Sequence, residues 1–85
     1  MDHTATVGAS VYESDGNWLL ALETSTGDVV EVIPIGWDGT GGFEGSGLNF
    51  VAPLLAARGL VYRSWMEQDG RYVAVMHQRP SWGPR

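Results

Sequence analysis

Cysteine and lysine are both missing from this 85-residue chain. Without cysteine there is no disulfide staple and no thiolate nucleophile, and the commonest structural zinc sites are out of reach. Without lysine there is no Schiff-base amine and no Walker-type loop, whose lysine must reach the terminal phosphates. Histidine is scarce too: His3 and His77 lie far apart, a poor signal for zinc. The five basic residues are all arginines and face ten acids, giving a net charge of −5 and a pI near 4.6. That balance opposes phosphate-backbone binding, which needs a positive field, so no nucleic-acid partner is expected. No stretch approaches the ~20 uninterrupted apolar residues of a membrane span. The opening "MDHTATVGAS" has neither the basic start nor the apolar run of a secretory signal, so a cytoplasmic protein without membrane contact is expected.

What is present suits a small globular domain. Apolar residues make up 44 % of the chain, enough for a core. A single domain over residues 1–80 is expected, with an extended tail at 81–85. At this size only roughly 60–65 % of the unfolded chain's surface is buried, so stability is thin. "VGASVYE" (7–13), "WLLALET" (18–24) and "VVEVIPI" (29–35) read as strands. "SDGN" and "STGD" separate them, and Asp-Gly supplies the positive φ of a tight hairpin. Pro34 cannot donate to a ladder, which places the end of the third strand there or puts it at an edge.

"LNFVAPLLAARGL" (48–60) carries Leu48, Val51 and Leu55 at helical spacing. An interior proline loses a backbone bond, so the helix is expected to begin near 49–51 with Pro53 in its first turn. Arg58-Gly59 ends it, with a cation at the negative terminus and a glycine free to turn left-handed. "LVYRSWME" and "YVAVMHQ" flank Asp69-Gly70 as a second hairpin. Simple alternation puts Leu60, Tyr62 and Met66 on one side, and Val61, Arg63 and Trp65 on the other. The fold class is therefore α+β: a mostly antiparallel five-stranded sheet, β-β-β-α-β-β, with one helix packed on one face.

Six of the chain's twelve glycines fall in "GWDGTGGFEGSG" (36–47), between the third strand and the helix. Phosphate sites are built at such places, but Glu44 stands where a G-x-G-x-x-G run from Gly39 needs its third glycine. The spacing of Asp38, Thr40 and Glu44 does not fit a calcium loop either. The serine elbow G-x-S-x-G is missing, because Glu44 precedes "GSG". Trp37 and Phe43 are what a pure spacer does not need; they either pin the segment to its own core or wait for a partner. Trp18 and Trp65 read as core, whereas Trp82, in the stiff tail "RPSWGPR", resembles a docking anchor.

No catalytic residue, metal site or cofactor is expected. The carboxylates Glu13, Glu23, Asp28 and Asp69 sit at strand ends and turns, where solvated charge belongs. The strands are apolar on both faces, and one short helix covers only one of them. A protein partner, most simply a second copy, is expected on the other, the alternative being that the glycine-rich loop and the tail fold back as the missing layer. The functional expectation is a small acidic protein-interaction module, homodimeric, with Trp37, Asp38, Phe43, Glu44 and Trp82 as binding residues. One version is an inhibitor or immunity-type binder of a basic partner site. The alternative is a small-molecule-binding protein or enzyme with a pocket under the glycine-rich loop.

Overall fold

Two Asp-Gly pairs turn the chain as their chemistry requires. Asp15 and Gly16 have φ of 53° and 81°, and Asp69 and Gly70 have 53° and 82°, the paired positive values of type I′ turns. They join strand β1 (Thr6–Ser14) to β2 (Asn17–Thr24), and β4 (Leu60–Gln68) to β5 (Arg71–Gln78). Between β2 and β3 (Val29–Pro34) the chain clasps itself. There the Thr26 hydroxyl donates to Asp28 at 3.1 Å and the Asp28 N–H donates to the Thr24 hydroxyl at 3.2 Å. A computed structural model describes residues 6–78, without the side chains of Arg63, His77 and Gln78. The tail 81–85, with Trp82, and His3 lie outside the described residues.

The strands form one antiparallel sheet in the order β3-β2-β1-β5-β4. The expected α+β architecture, a five-stranded antiparallel sheet with one helix, is thus the observed one. What joins the meander to the second hairpin is the pairing of β1 with β5, Ala9 opposite Ala74 and Val11 opposite Tyr72.

The helix differs from expectation at its start. A π-helical turn, Phe43–Gly47, runs straight into α1 (Leu48–Ala57), so Pro53 lies inside the helix and not in its first turn. The turn is closed on the Gly42 carbonyl, which accepts from the Ser46 and Gly47 N–H groups at 2.9 and 3.2 Å. Pro53 is exposed, where the unpartnered Asn49 carbonyl can meet water, and this explains its tolerance. Val51 and Leu55 are buried, with Leu48 and Leu54 packed beside them. The C-terminus is as expected: Gly59 turns with φ 72° and β4 begins at the next residue.

Arg58 does more than complement the helix dipole. Its Nη1 donates to the Leu54 carbonyl, while Nε and Nη2 grip both oxygens of Glu31 on β3, each at 2.9 Å. The Glu31 hydrogen bond is the main reason that the guanidinium pKa is raised above its ordinary value. The two side chains are 20 % and 25 % exposed, so a charge-assisted fork here stabilises by about 1–2 kcal/mol. The contact also reports on shape. β3 and β4 are opposite edges, separated in a flat sheet by roughly 19 Å. Yet the residue that precedes Gly59 and β4 touches β3, so the sheet is curled around the helix, which fills the space between its two edges.

One expectation about β4 is reversed. Between Tyr62 and Trp65 the register slips against β5: Tyr62 faces Met76 and Trp65 faces Ala74, so three steps on β4 match two on β5. This bulge at Arg63–Ser64 changes the parity of the strand. Trp65 therefore joins Leu60 and Tyr62 on the helix side, and Met66 joins Val61 on the outer side, the opposite of simple alternation. The core lies inside the curl: Ala9, Val11, Leu20, Leu22, Ala74 and Met76 from the sheet meet Val51 and Leu55 from α1.

Candidate binding surfaces

The connector 35–47 leaves β3 beside Trp18, where the Ile35 N–H donates to the Trp18 carbonyl at 3.2 Å. It then crosses one end of the curl and delivers its two aromatics inward. Trp37 is 5 % exposed and Phe43 2 %. Trp37 packs on Trp18 with centroids 4.6 Å apart, and Phe43 stacks on Tyr72 at 4.4 Å and 10°. Phe43 also meets Trp65 edge-on at 5.0 Å, and Trp65 meets Tyr62 at 5.5 Å. Aromatic pairs of this kind add about 0.5–1.5 kcal/mol each beyond area burial. The result is a continuous aromatic seal over the end of the barrel-like curl.

The expectation that Trp37 and Phe43 are available as partner anchors is corrected by this burial: they pin the segment to its own core. The glycines make that possible. A Cβ at Gly47 would stand 2.9 Å from Phe43 Cδ1 and 3.0 Å from Trp37 Cδ2, so both rings close onto bare backbone. The segment is further tied by the Trp37 indole N–H, which donates to the Thr40 carbonyl at 2.9 Å. Asp38 stays exposed and accepts from the Thr40 N–H and hydroxyl at 2.9 and 2.7 Å. Those bonds, the hydroxyl first, hold its carboxyl below the ordinary 3.8.

Glu44 is exposed on the π turn and does not meet Asp38 in a shared site; Trp82 lies outside the described residues. What Glu44 does border is a cleft of about 370 Å³, lined by Gly42 to Gly45, Trp65, Glu67 and Tyr72. Sequence reasoning missed Trp65, Glu67 and Tyr72 as cleft residues. Without the β4 bulge, alternation sends Trp65 to the other face, so no local signal could group it with Phe43 and Glu44.

The second surface is the outer face of the sheet. Val32 is 46 % exposed, Val61 41 %, and Met66 and Val75 59 % each. Ser64, Met66, Gln68, Val73 and Val75 border a groove of about 460 Å³ on this side. Small residues, Ser10 and Ala21, lie buried near the middle of the same face. Charge stands only toward its ends among the described side chains. Arg71 lies over the Tyr12 ring, 5.1 Å from its centroid, and Glu23 flanks Gly8 at the far end.

Among the described residues no group of three or more His, Asp or Glu side chains is placed to hold a metal ion. No helix among them is long and apolar enough to cross a membrane. Compared with protein-family models, with curated proteins and with solved structures, the chain matches none.

Proposed function

We infer that this chain is a small acidic protein-interaction module that works through the outer face of its sheet, in the first instance by pairing with a second copy of itself. One observation carries the reading: Val32, Val61, Met66 and Val75 are 41–59 % exposed on one face, while the opposite face holds the whole core. Scattered surface apolar residues such as Val32 on β3 need no explanation, but Val61, Met66 and Val75 stand together on the neighbouring strands β4 and β5, and such a group marks a contact surface.

The charge layout supports a two-fold partner. Arg71 and Glu23 stand at opposite ends of the strands, so a face-to-face pair with reversed strand direction sets each Arg71 over the other copy's Glu23. The apolar centre meets its own image. The sheet is curled, so only part of this convex face meets a second copy, and the contact is smaller than the ~800 Å² per partner of standard interfaces. The dimer is therefore weak and its population follows concentration.

Sedimentation over a range of concentrations tests this. The expected result is a monomer–dimer equilibrium that Met66→Glu or Val75→Glu shifts to monomer, with circular dichroism unchanged because both side chains are largely exposed. Raising the salt should barely weaken an apolar contact. A chain that remains single at every concentration, or whose dimer ignores both substitutions, sinks the sheet-face reading.

A further inference from the structure

We propose that the cleft between the π turn and strands β4 and β5 is a receptor for a guanidinium group, in the form of an arginine side chain presented by a protein partner. The site lies on the core side of the sheet, away from Met66 and Val75, and does not depend on self-association.

Three observations converge there. The cleft of about 370 Å³ falls within the range of small-group binding sites, roughly 300–1,000 Å³. Its walls include the half-buried Trp65 and Tyr72, whose rings attract cations, while Phe43, stacked on Tyr72, backs them from the core. Its rim carries Glu44 and Glu67, both exposed, and among the described residues neither has an ion-pair or hydrogen-bond partner. Aromatic walls with two free carboxylates define a receptor for an organic cation. Trp65 lines the cleft, and its indole N–H is buried with no hydrogen-bond partner among the described residues.

Arginine within a polypeptide supplies that cation. Its planar guanidinium stacks on a ring and forks onto a carboxylate, and it sheds water more readily than an ammonium. An uncharged planar group leaves both glutamates unanswered, and a phosphate meets them as like charges.

The test uses the full chain and N-acetyl-arginine amide as probe, titrated at low salt while the Trp65 indole N–H is followed by NMR. N-acetyl-citrulline amide, the same shape without the charge, and N-acetyl-lysine amide serve as controls. The expected result is a saturable shift of the Trp65 signal with the arginine probe alone. Affinity should fall about tenfold in a Glu44→Gln, Glu67→Gln chain and again near 0.5 M salt. Both glutamates are exposed, so the double variant keeps its fold, which the same spectra verify. Equal response to citrulline or lysine overturns the proposal, as does a shift that survives in the double variant or no shift at all. Occupation of the cleft by one of this chain's own arginines, seen as cross-peaks from the free protein, overturns it too. Running the titration on the Met66→Glu chain keeps the outcome independent of dimerisation.

Discussion

At the scale of single residues, the glycine-rich segment is explained by what its neighbours need. Gly47 has no room for a methyl group, because the rings of Phe43 and Trp37 stand 2.9 and 3.0 Å from where its Cβ would be. Gly45, two residues earlier, has nothing within 4 Å and no left-handed backbone. Alanine should therefore act oppositely at the two positions. Gly47→Ala displaces ring atoms and costs about 1–3 kcal/mol by overpacking. Gly45→Ala restricts the unfolded chain and stabilises by about 0.4–1 kcal/mol. Urea unfolding of the two variants decides the matter, and equal effects contradict the packing account. Asp38 supplies the pH-dependent counterpart. Its folded pKa lies below 3.8, so its clasp on Thr40 stabilises fully above that value and is lost as pH falls through the lowered folded one. In Thr40→Val the main cause of the shift is gone, and the Asp38 carboxyl followed by NMR should titrate closer to 3.8. An unmoved titration means that the hydroxyl is not the cause.

At the scale of elements, the bulge in β4 decides which aromatic enters the core. Two residues, Arg63 and Ser64, occupy the stretch that Val75 spans alone on β5. Removing Ser64 leaves Tyr62 opposite Met76 and Trp65 opposite Ala74, but now by ordinary alternation. The deletion should therefore fold, with the near-ultraviolet circular dichroism of the tryptophan cluster preserved. Loss of that signal shows that the bulge does more than correct parity, for instance by bending the strand toward the curl. The helix is an element set by its environment as much as by its sequence. Pro53 forbids one ladder bond, yet α1 persists because Val51 and Leu55 are buried on one side and Arg58 ties its end to Glu31.

At the scale of the whole molecule, β1 is the keystone. It is the middle strand, and its partner on one side, β5, is the last of the described strands. A chain cut after Ala57 keeps the meander and the helix but leaves β1 with a bare edge and the aromatic seal without Tyr72 and Trp65. Such a fragment should show neither a cooperative melt nor native circular dichroism; a cooperative melt means that the meander and helix suffice. The same topology separates the two proposed surfaces: Met66 and Val75 lie on the outside of the curl and the cleft beside Glu44 and Glu67 on its core side, so each proposal can be tested without the other.

Much of this fold was legible one segment at a time. Alternation marked the strands, Asp-Gly placed both hairpin turns, and Arg58-Gly59 ended the helix, because each depends on the φ preferences and hydrogen-bonding groups of adjacent residues. The acidic balance and the apolar excess on both strand faces were equally plain from composition and order. Three matters were settled only by tertiary contact. The joining of β1 to β5 rests on packing between residues more than sixty positions apart, which no local preference encodes. The side on which Trp65 emerges rests on a slip of register that alternation cannot reveal. And whether Trp37 and Phe43 face a partner or their own core rests on the room left at Gly47, a distance that exists only once the sheet has curled.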